Sequence, residues 1–437
     1  MHVHLIGIGG IGISALAKYY LAHGAAVSGS DLVASEITSD LARLGVRIIV
    51  GAHSPYNIPT ETAGVIHTAA IEKKNPELKE AKRRKLNIQS YAEAVGDITR
   101  QFKTVTVSGA HGKSTTAALA ALTLEEGYLD PTAIIGTKVP EFGNSNFRRG
   151  HGAHLVLEAD EWNKSFLNYS PQVAVVTNID AEHLDTYKTV EGVEDTFAEY
   201  LAKVPRDGAI VANADDEALR HIAKRLRRKF NWFSLGQKEA QILRPLLKIP
   251  GAHNLSNALA ALTVGRVLGV AEPDILRALA RYRGAWRRFE FKGFLNGAQL
   301  FSDYGHHPRE IAATLAAARE RFPLRRVWCV YQPHQYQRLH YLWNDFISAF
   351  DGADRVCLLP VYDVAGRETA RSKRVVSSIK LVGALQERGK NACHADSFDE
   401  ARHFLRSQAH RGDIVLVMGA GDIYRLPENL ASNIIAA

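Results

Sequence analysis

The stretch Val105-Thr-Val-Ser-Gly109-Ala-His111-Gly112-Lys113-Ser114-Thr115-Thr116 alternates apolar and polar residues, bends at glycine and resumes in a run of hydroxyls. Ala/Leu-rich sequence follows from Ala117 to Leu124, so the pattern predicts a strand, a phosphate-binding bend and a helix starting near Lys113. Free N–H groups and the macrodipole at such a helix start cradle an anion. Lys113 then sets a point charge on the outer phosphates, and Ser114 or Thr115 offers a hydroxyl to Mg²⁺, a hard cation that takes oxygen. Only two residues separate Gly109 from Gly112, where the general P-loop has four. The alternative is a βα turn that merely carries a lysine. A loop lysine adds little to a core, so Lys113→Ala is expected to abolish turnover and leave the fold intact.

Toward the amino terminus, His2-Val-His-Leu-Ile-Gly7-Ile-Gly9-Gly10-Ile-Gly12 is a strand running into G-x-G-x-x-G, and the apolar stretch from Ile13 to Leu21 continues as a helix. A second strand, Ala26 to Ser30, ends at Asp31, about 20 residues beyond the bend, where a dinucleotide enzyme places its ribose-binding acid. The glycines say only that a pyrophosphate can approach the backbone closely. NAD, another nucleotide and a purely structural turn all stay open. Strands at 47–50 and 64–67 alternate with helices at 36–44 and 76–85, extending a small parallel α/β sheet.

Beyond the phosphate bend come Gly136-Thr-Lys138 and a Gly/Asn-rich loop, Phe142-Gly-Asn-Ser-Asn146. A strand from Ala153 to Leu157 delivers Glu158-Ala-Asp160-Glu161. An acid at the end of such a strand holds Mg²⁺ in Walker-B fashion, and Glu158 is the candidate; at least one of these acids is expected in a surface ion pair. The strand from Gln172 to Thr177 ends in Asn178-Ile-Asp180-Ala-Glu-His183-Leu-Asp185, a polar cluster at the carboxyl edge where open α/β sheets place their sites. His183 there binds a second metal ion or orients a phosphate. Pro250-Gly-Ala-His253-Asn254-Leu-Ser-Asn257 opens another helix, whose polar groups pair with a purine and ribose or serve as caps.

A Gly-Ala-Trp turn before Arg287-Arg288-Phe-Glu290 marks a boundary near Gly284. Strands at 300–303, 327–331, 355–359 and 414–418 with helices at 308–321 and 342–349 then form a third α/β domain. The last strand runs into Gly419-Ala-Gly421-Asp422, a second glycine turn. Asp303-Tyr304-Gly-His306-His307-Pro308, Gln332-Pro-His334-Gln335-Tyr336-Gln-Arg338 and Tyr362-Asp363-Val-Ala-Gly366-Arg-Glu368 sit where strands end, around one sheet edge.

The length of 437 residues suits about three domains of ~150 residues each, and no repeat interrupts the α/β alternation. With 46% hydrophobic and 23% charged residues the chain reads as globular. Met1-His-Val-His-Leu-Ile enters a strand with no cationic leader, and no apolar run approaches the ~18 residues that span a bilayer. Cys329, Cys357 and Cys393 lack metal-type spacing and read as core thiols in a reducing compartment. A cytoplasmic protein without a membrane partner is the expectation. The net charge of +8 is dispersed apart from clusters at 82–85 and 224–229 in helix-like stretches, which read as solvated faces, not a nucleic-acid surface.

With these residues in view the chain resembles the Mur ligases, ATP-dependent amide-forming enzymes of peptidoglycan precursor synthesis, over essentially its whole length. The resemblance rests on Gly7 to Gly12, Gly109 to Thr116, Glu158 to Glu161, Asn178 to His183, His253-Asn254 with Asn257, Arg288-Phe-Glu290, Asp303 to Pro308, Gln332-Pro-His334 and Val361 to Glu368. The two-residue spacing in the phosphate bend is normal in that family. The motifs at Asp303 and Val361 favour the branch that adds L-alanine to UDP-N-acetylmuramate over those that add glutamate, diaminopimelate or a dipeptide.

The resemblance implies three domains: a Rossmann-like UDP-sugar domain at 1–101, a central P-loop ATPase-type α/β domain at 102–283, and a Rossmann-like α/β domain for the amino acid at 284–437. It resolves the first bend against NAD. Gly7, Gly9, Gly10, Gly12, Asp31 and His53 would bind the UDP-sugar, and Tyr304, His306 and Arg338 would meet the muramoyl group or the amino acid. Gly109, His111, Gly112, Lys113, Ser114, Thr115, His253, Asn254, Asn257 and Arg288 would bind ATP. Ser114 and Glu158 would hold Mg²⁺, with Mn²⁺ able to substitute, and His183 a second ion. Lys113, Glu158, His183, Arg288 and His306 are the implied catalytic set, in a monomer or homodimer.

Two departures from the family pattern fall at the substrate end: Trp162-Asn163-Lys164 after the acidic run, and Gln335 where an arginine is usual. The implied chemistry starts from leaving groups, because a carboxylate oxygen does not depart when an amine attacks. Phosphorylation of the lactyl carboxylate by ATP comes first, and L-alanine then displaces phosphate from the acyl phosphate. The rivals are a sister ligase that adds a tripeptide to the same sugar, an NAD-dependent oxidoreductase, and a non-catalytic nucleotide switch.

Overall fold

The computed structural model describes every residue except 181–183, 188, 364–369, 429 and 431–437. The chain divides into two compact units, Met1–Leu247 with Leu255–Tyr282, and Lys248–Asn254 with Arg283–Ala437.

The first unit holds two sheets. β1 (His2–Ile6), β2 (Ala26–Asp31), β3 (Arg47–Val50), β4 (Gly64–His67) and β5 (Asn87–Ser90) pair in the order β3-β2-β1-β4-β5, all parallel. Strand order reverses beside β1, so the glycine bend after it lies at the crevice where such sheets take ligands. The second sheet contains β6 (Lys103–Ser108), β7 (Thr132–Val139), β8 (Ser145–Arg148), β9 (His154–Glu158), β10 (Val173–Val176), β11 (Ala209–Asn213) and β12 (Asn231–Phe233), ordered β12-β11-β10-β6-β9-β7-β8. Only β8 is antiparallel to its neighbour. β6 is central, flanked by β9 and β10, which fixes what surrounds the phosphate bend: the acids after β9 on one side and the amides after β10 on the other.

Ser145 and Asn146, read from sequence as loop, instead begin β8. A tertiary contact overrides their turn propensity: the Asn146 amide donates to the Ile11 carbonyl (2.6 Å) and to Ser14 Oγ (2.9 Å) on the helix that follows the first glycine bend. Lys138 on β7 adds an ion pair to Asp40 (2.8 Å) and another to Glu36 on the helix Glu36–Arg43. One contiguous apolar core, including Leu5 of β1 with Ile13 and Leu16 of the helix Ile11–Ala22, and Leu155, Leu157 and Val176 from the second sheet, joins the two layers. Each such side chain contributes about 1.5–3 kcal/mol.

The second unit is built on β13 (Glu290–Leu295), β14 (Ala298–Asp303), β15 (Val327–Tyr331), β16 (Arg355–Leu358), β17 (Asn391–His394) and β18 (Ile414–Met418), ordered β13-β14-β18-β15-β16-β17. β13 and β14 form the antiparallel hairpin, turning at Asn296-Gly297 with φ of 51° and 80°, as an Asn-Gly hairpin turn requires. The other pairs are parallel. Apolar clusters cover both faces: Cys329, Tyr331 and Val356 point into one, Trp328, Val330 and Cys357 into the other. Buried on both sides, these strands read as continuous apolar runs.

Candidate active site

The phosphate bend leaves β6 with Gly109 at φ 125° and Gly112 at φ 83°. A Cβ at Gly109 would meet Thr177 Oγ1 at 2.3 Å, and one at Gly112 would meet Asn257 Oδ1 at 2.3 Å, so conformation and space both demand glycine. Gly112 is the N-cap of the helix Lys113–Glu126 and brings no side-chain acceptor, which leaves the first-turn N–H groups for an anion. The end of β10 fixes the bend. Asn178 Oδ1 accepts from the His111 N–H (2.9 Å), while the Asn178 amide (3.0 Å) and Thr177 hydroxyl (2.6 Å) donate to the His111 carbonyl. The His111 ring pairs with Asp180 (3.3 Å).

Lys113 Nζ donates to the carbonyls of Gly109 (2.7 Å) and Ala110 (3.2 Å) and to both oxygens of Glu161 (3.1 and 3.0 Å). Glu161 is buried, so the surface pair expected among these acids is, at this residue, an interior one. Ser114 Oγ donates to Glu158 Oε1 (2.9 Å), whose other oxygen accepts from the Gly136 N–H (2.7 Å). Ser114, not Thr115, is therefore the hydroxyl beside the carboxylate, and two adjacent hard oxygen donors at a helix start suit Mg²⁺. Asn257 joins this cluster through the Thr116 hydroxyl (3.2 Å). His183 lies outside the described residues.

At the first bend the N–H groups of Gly7 and Ile8 donate to the Ser30 carbonyl (2.8 and 3.1 Å), and Gly9 N–H donates to Asp31 Oδ2 (2.8 Å). One oxygen of Asp31 thus shapes the bend itself. Gly10 caps the helix Ile11–Ala22, and Gly12 lies in its first turn. His53 Nδ1 is held by Glu77 (2.8 Å), a fully buried carboxylate that also takes hydrogen bonds from His4 (3.1 Å), Ser30 (2.7 Å) and Asn57 (2.7 Å). Burial pushes the Glu77 carboxyl up, but these four partners together hold it down at about 2.

In the second unit Tyr304, His306 and Arg338 come together with Arg288. The His306 ring lies edge-on to Tyr304 (5.3 Å) and His334 (5.7 Å), His334 stacks on Tyr362 (5.4 Å), and Arg338 reaches His334 Nδ1 (3.3 Å). Glu310 pairs with His306 (3.2 Å) and faces Arg288 (4.0 Å), whose guanidinium stands 5.0 Å over the Tyr304 ring. His253 and Asn254 also belong to this unit; His253 is exposed, and the Asn254 amide donates to the Pro250 carbonyl (2.7 Å) just ahead of the helix.

Three residues escaped the sequence reading. Glu161 lay in the acidic run without a feature to separate it from its neighbours. Glu77 sat in an ordinary helix first turn. Arg287 was passed over for Arg288, yet it is the buried one: its guanidinium lies against the rings of Tyr304 (4.7 Å) and Tyr424 (4.8 Å) and donates to the carbonyls of Gly419 and Gly421. Arg287 therefore fixes the second glycine turn, and burial lowers its pKa. Of the two departures, Asn163 and Lys164 are consecutive left-handed residues (φ 53° and 57°), and Gln335 has φ 73° with its N–H on the Tyr362 carbonyl (3.1 Å).

Three family models match in order: the Mur ligase family catalytic domain over residues 2–103, the Mur ligase middle domain over 107–265, and the Mur ligase glutamate ligase domain over 287–421. A UDP-N-acetylmuramate–L-alanine ligase of Acetivibrio thermocellus is 38% identical, covering 98% of this chain and 95% of that one. The crystal structure of a UDP-N-acetylmuramate-alanine ligase from Thermotoga maritima superposes with a TM-score of 0.82 at 26% identity, over 98% of each chain. A murein peptide ligase from Psychrobacter arcticus shares the fold, with a TM-score of 0.71 at 20% identity over 100% of each chain.

Proposed function

The chain belongs to the Mur ligase family, and from that premise we propose that it joins L-alanine to the lactyl carboxylate of UDP-N-acetylmuramate, converting ATP to ADP and phosphate. The reading is supported by full-length similarity to ligases named for that reaction and, above all, by the phosphate bend set between Lys113–Glu161 and Ser114–Glu158. The tripeptide-adding reading has only a shared fold in its favour.

Residues 1–101 take the UDP-sugar, 102–283 the ATP, and 284–437 the amino acid. First-turn N–H groups and Lys113 bind the phosphates and neutralise charge as the lactyl carboxylate attacks the γ-phosphorus. Glu158 and Ser114 hold Mg²⁺, which when bound supplies Lewis acidity at the phosphoryl oxygens. Asn257 and His111 shape the bend, and Asp31 and His53 shape the sugar-nucleotide crevice. Tyr304, His306, Arg288 and Arg338 orient the acyl acceptor so that its neutral amine attacks the acyl phosphate and phosphate leaves. The enzyme acts in the cytoplasm, where its nucleotide substrates are.

The test is ADP release with UDP-N-acetylmuramate and, in turn, L-alanine, glycine, L-serine and the tripeptide. Release should require the sugar and be fastest with L-alanine. Release indifferent to the muramic acid donor would overturn the assignment.

A further inference from the structure

The second unit carries a pair of thiols that the ligase chemistry does not use. Cys357 on β16 stands directly opposite Cys393 on the neighbouring parallel strand β17. Residues in register share a face, and both sulfurs point toward the cluster formed by Leu359, Ala395, Phe398 and Leu405. Adjacent strands run about 4.8 Å apart, inside the roughly 4.4–6.8 Å between Cα atoms that a disulfide spans. Cys329 is no part of the pair: it lies opposite Val356 and faces the other side of the sheet, beside Met418 Sδ at 3.8 Å.

The two thiols differ in access. Cys357 is 1% exposed, whereas Cys393 is only partly buried, on the edge strand. They differ in acidity in the same sense: the hydrogen bond from Cys357 pulls Cys393 down against its partial burial, Arg355 assists and Glu400 opposes, while the same bond and deeper burial push Cys357 up. An accessible sulfur inclined to the thiolate, with a second thiol in contact behind it, is the arrangement of a peroxide-reactive cysteine with its resolving partner.

We propose that Cys393 and Cys357 form an oxidisable dithiol that hydrogen peroxide converts to an intrachain disulfide across β16 and β17. The Cys393 thiolate attacks a peroxide oxygen; the O–O bond breaks, an S–O bond forms, and hydroxide leaves to be protonated to water. The Cys357 sulfur then attacks the Cys393 sulfenic acid; the S–O bond breaks, the S–S bond forms, and hydroxide departs with the Cys357 proton as a second water. Two thiols are oxidised by two electrons and one peroxide is reduced.

The test uses the folded full-length protein and hydrogen peroxide at low molar excess. Thiols titrated after denaturation should fall from three to one, peptide mapping should find Cys357 linked to Cys393 with Cys329 free, and dithiothreitol should restore all three. In Cys357→Ser, Cys393 should accumulate as sulfenic acid that dimedone traps. Three surviving thiols in the wild type, a link between different chains, or a Cys393 thiol untouched in Cys357→Ser would each overturn the proposal.

Discussion

Lys113 Nζ lies 3.0 Å from Glu161 Oε2, and that carboxylate is only 2% exposed. The lysine proposed to meet the outer phosphates is therefore also the counterion of an interior acid. The sequence-based expectation that its removal spares the fold needs correcting on that ground.

Lys113→Ala should lower kcat by at least about a thousandfold, the scale of losing a transition-state charge contact. It should also cost about 3 kcal/mol of stability, because it strands a buried carboxylate. Lys113→Met with Glu161→Gln should regain most of the stability and none of the activity. Urea denaturation and ADP release measured on both variants check this; a single variant as stable as wild type would show the pair to be energetically idle.

Glu158→Gln keeps an oxygen for the Gly136 N–H, so the strand end should survive. The lost charge should raise the Mg²⁺ concentration for half-maximal rate by on the order of tenfold or more. A metal titration of the steady-state rate reads this directly, and an unshifted curve would remove Glu158 from the metal site.

Glu77 sets a pH dependence whose sign is fixed. Its carboxyl is held at about 2 in the folded chain against an ordinary 4.5. Its contribution, about 3 kcal/mol, is therefore fully present above pH 4.5 and lost as the pH falls from 4.5 toward 2. Between pH 7 and pH 3 the wild type should lose about 2 kcal/mol more unfolding free energy than Glu77→Gln. Equal losses in the two proteins would contradict the assignment.

Gln335 holds φ 73° without being glycine. Gln335→Gly should add about 1 kcal/mol of stability. Gln335→Arg, which introduces a cation beside His334, should change kcat/KM for L-alanine by roughly tenfold, the worth of one charge-assisted hydrogen bond. If every amino acid keeps its kcat/KM, the residue does not select the substrate.

How much of this was legible depended on the range of the interaction. Lys113, Ser114 and the strand-bend-helix around them follow from local pattern, and Glu158 from its place at a strand end. Asn146 was misread because its strand is specified by Ser14 and Ile11, more than 130 residues away. Glu161 is placed by its pair with Lys113, 48 residues earlier, and Arg287 adopts left-handed backbone that a non-glycine residue does not announce.

The bonds from Thr177 and Asn178 to His111 are made by the chain alone. The ordering entropy of the phosphate bend is then met during folding, not at each encounter with nucleotide. A cradle braced by its own neighbouring strand meets each ligand already shaped, and less of the binding energy goes into ordering it.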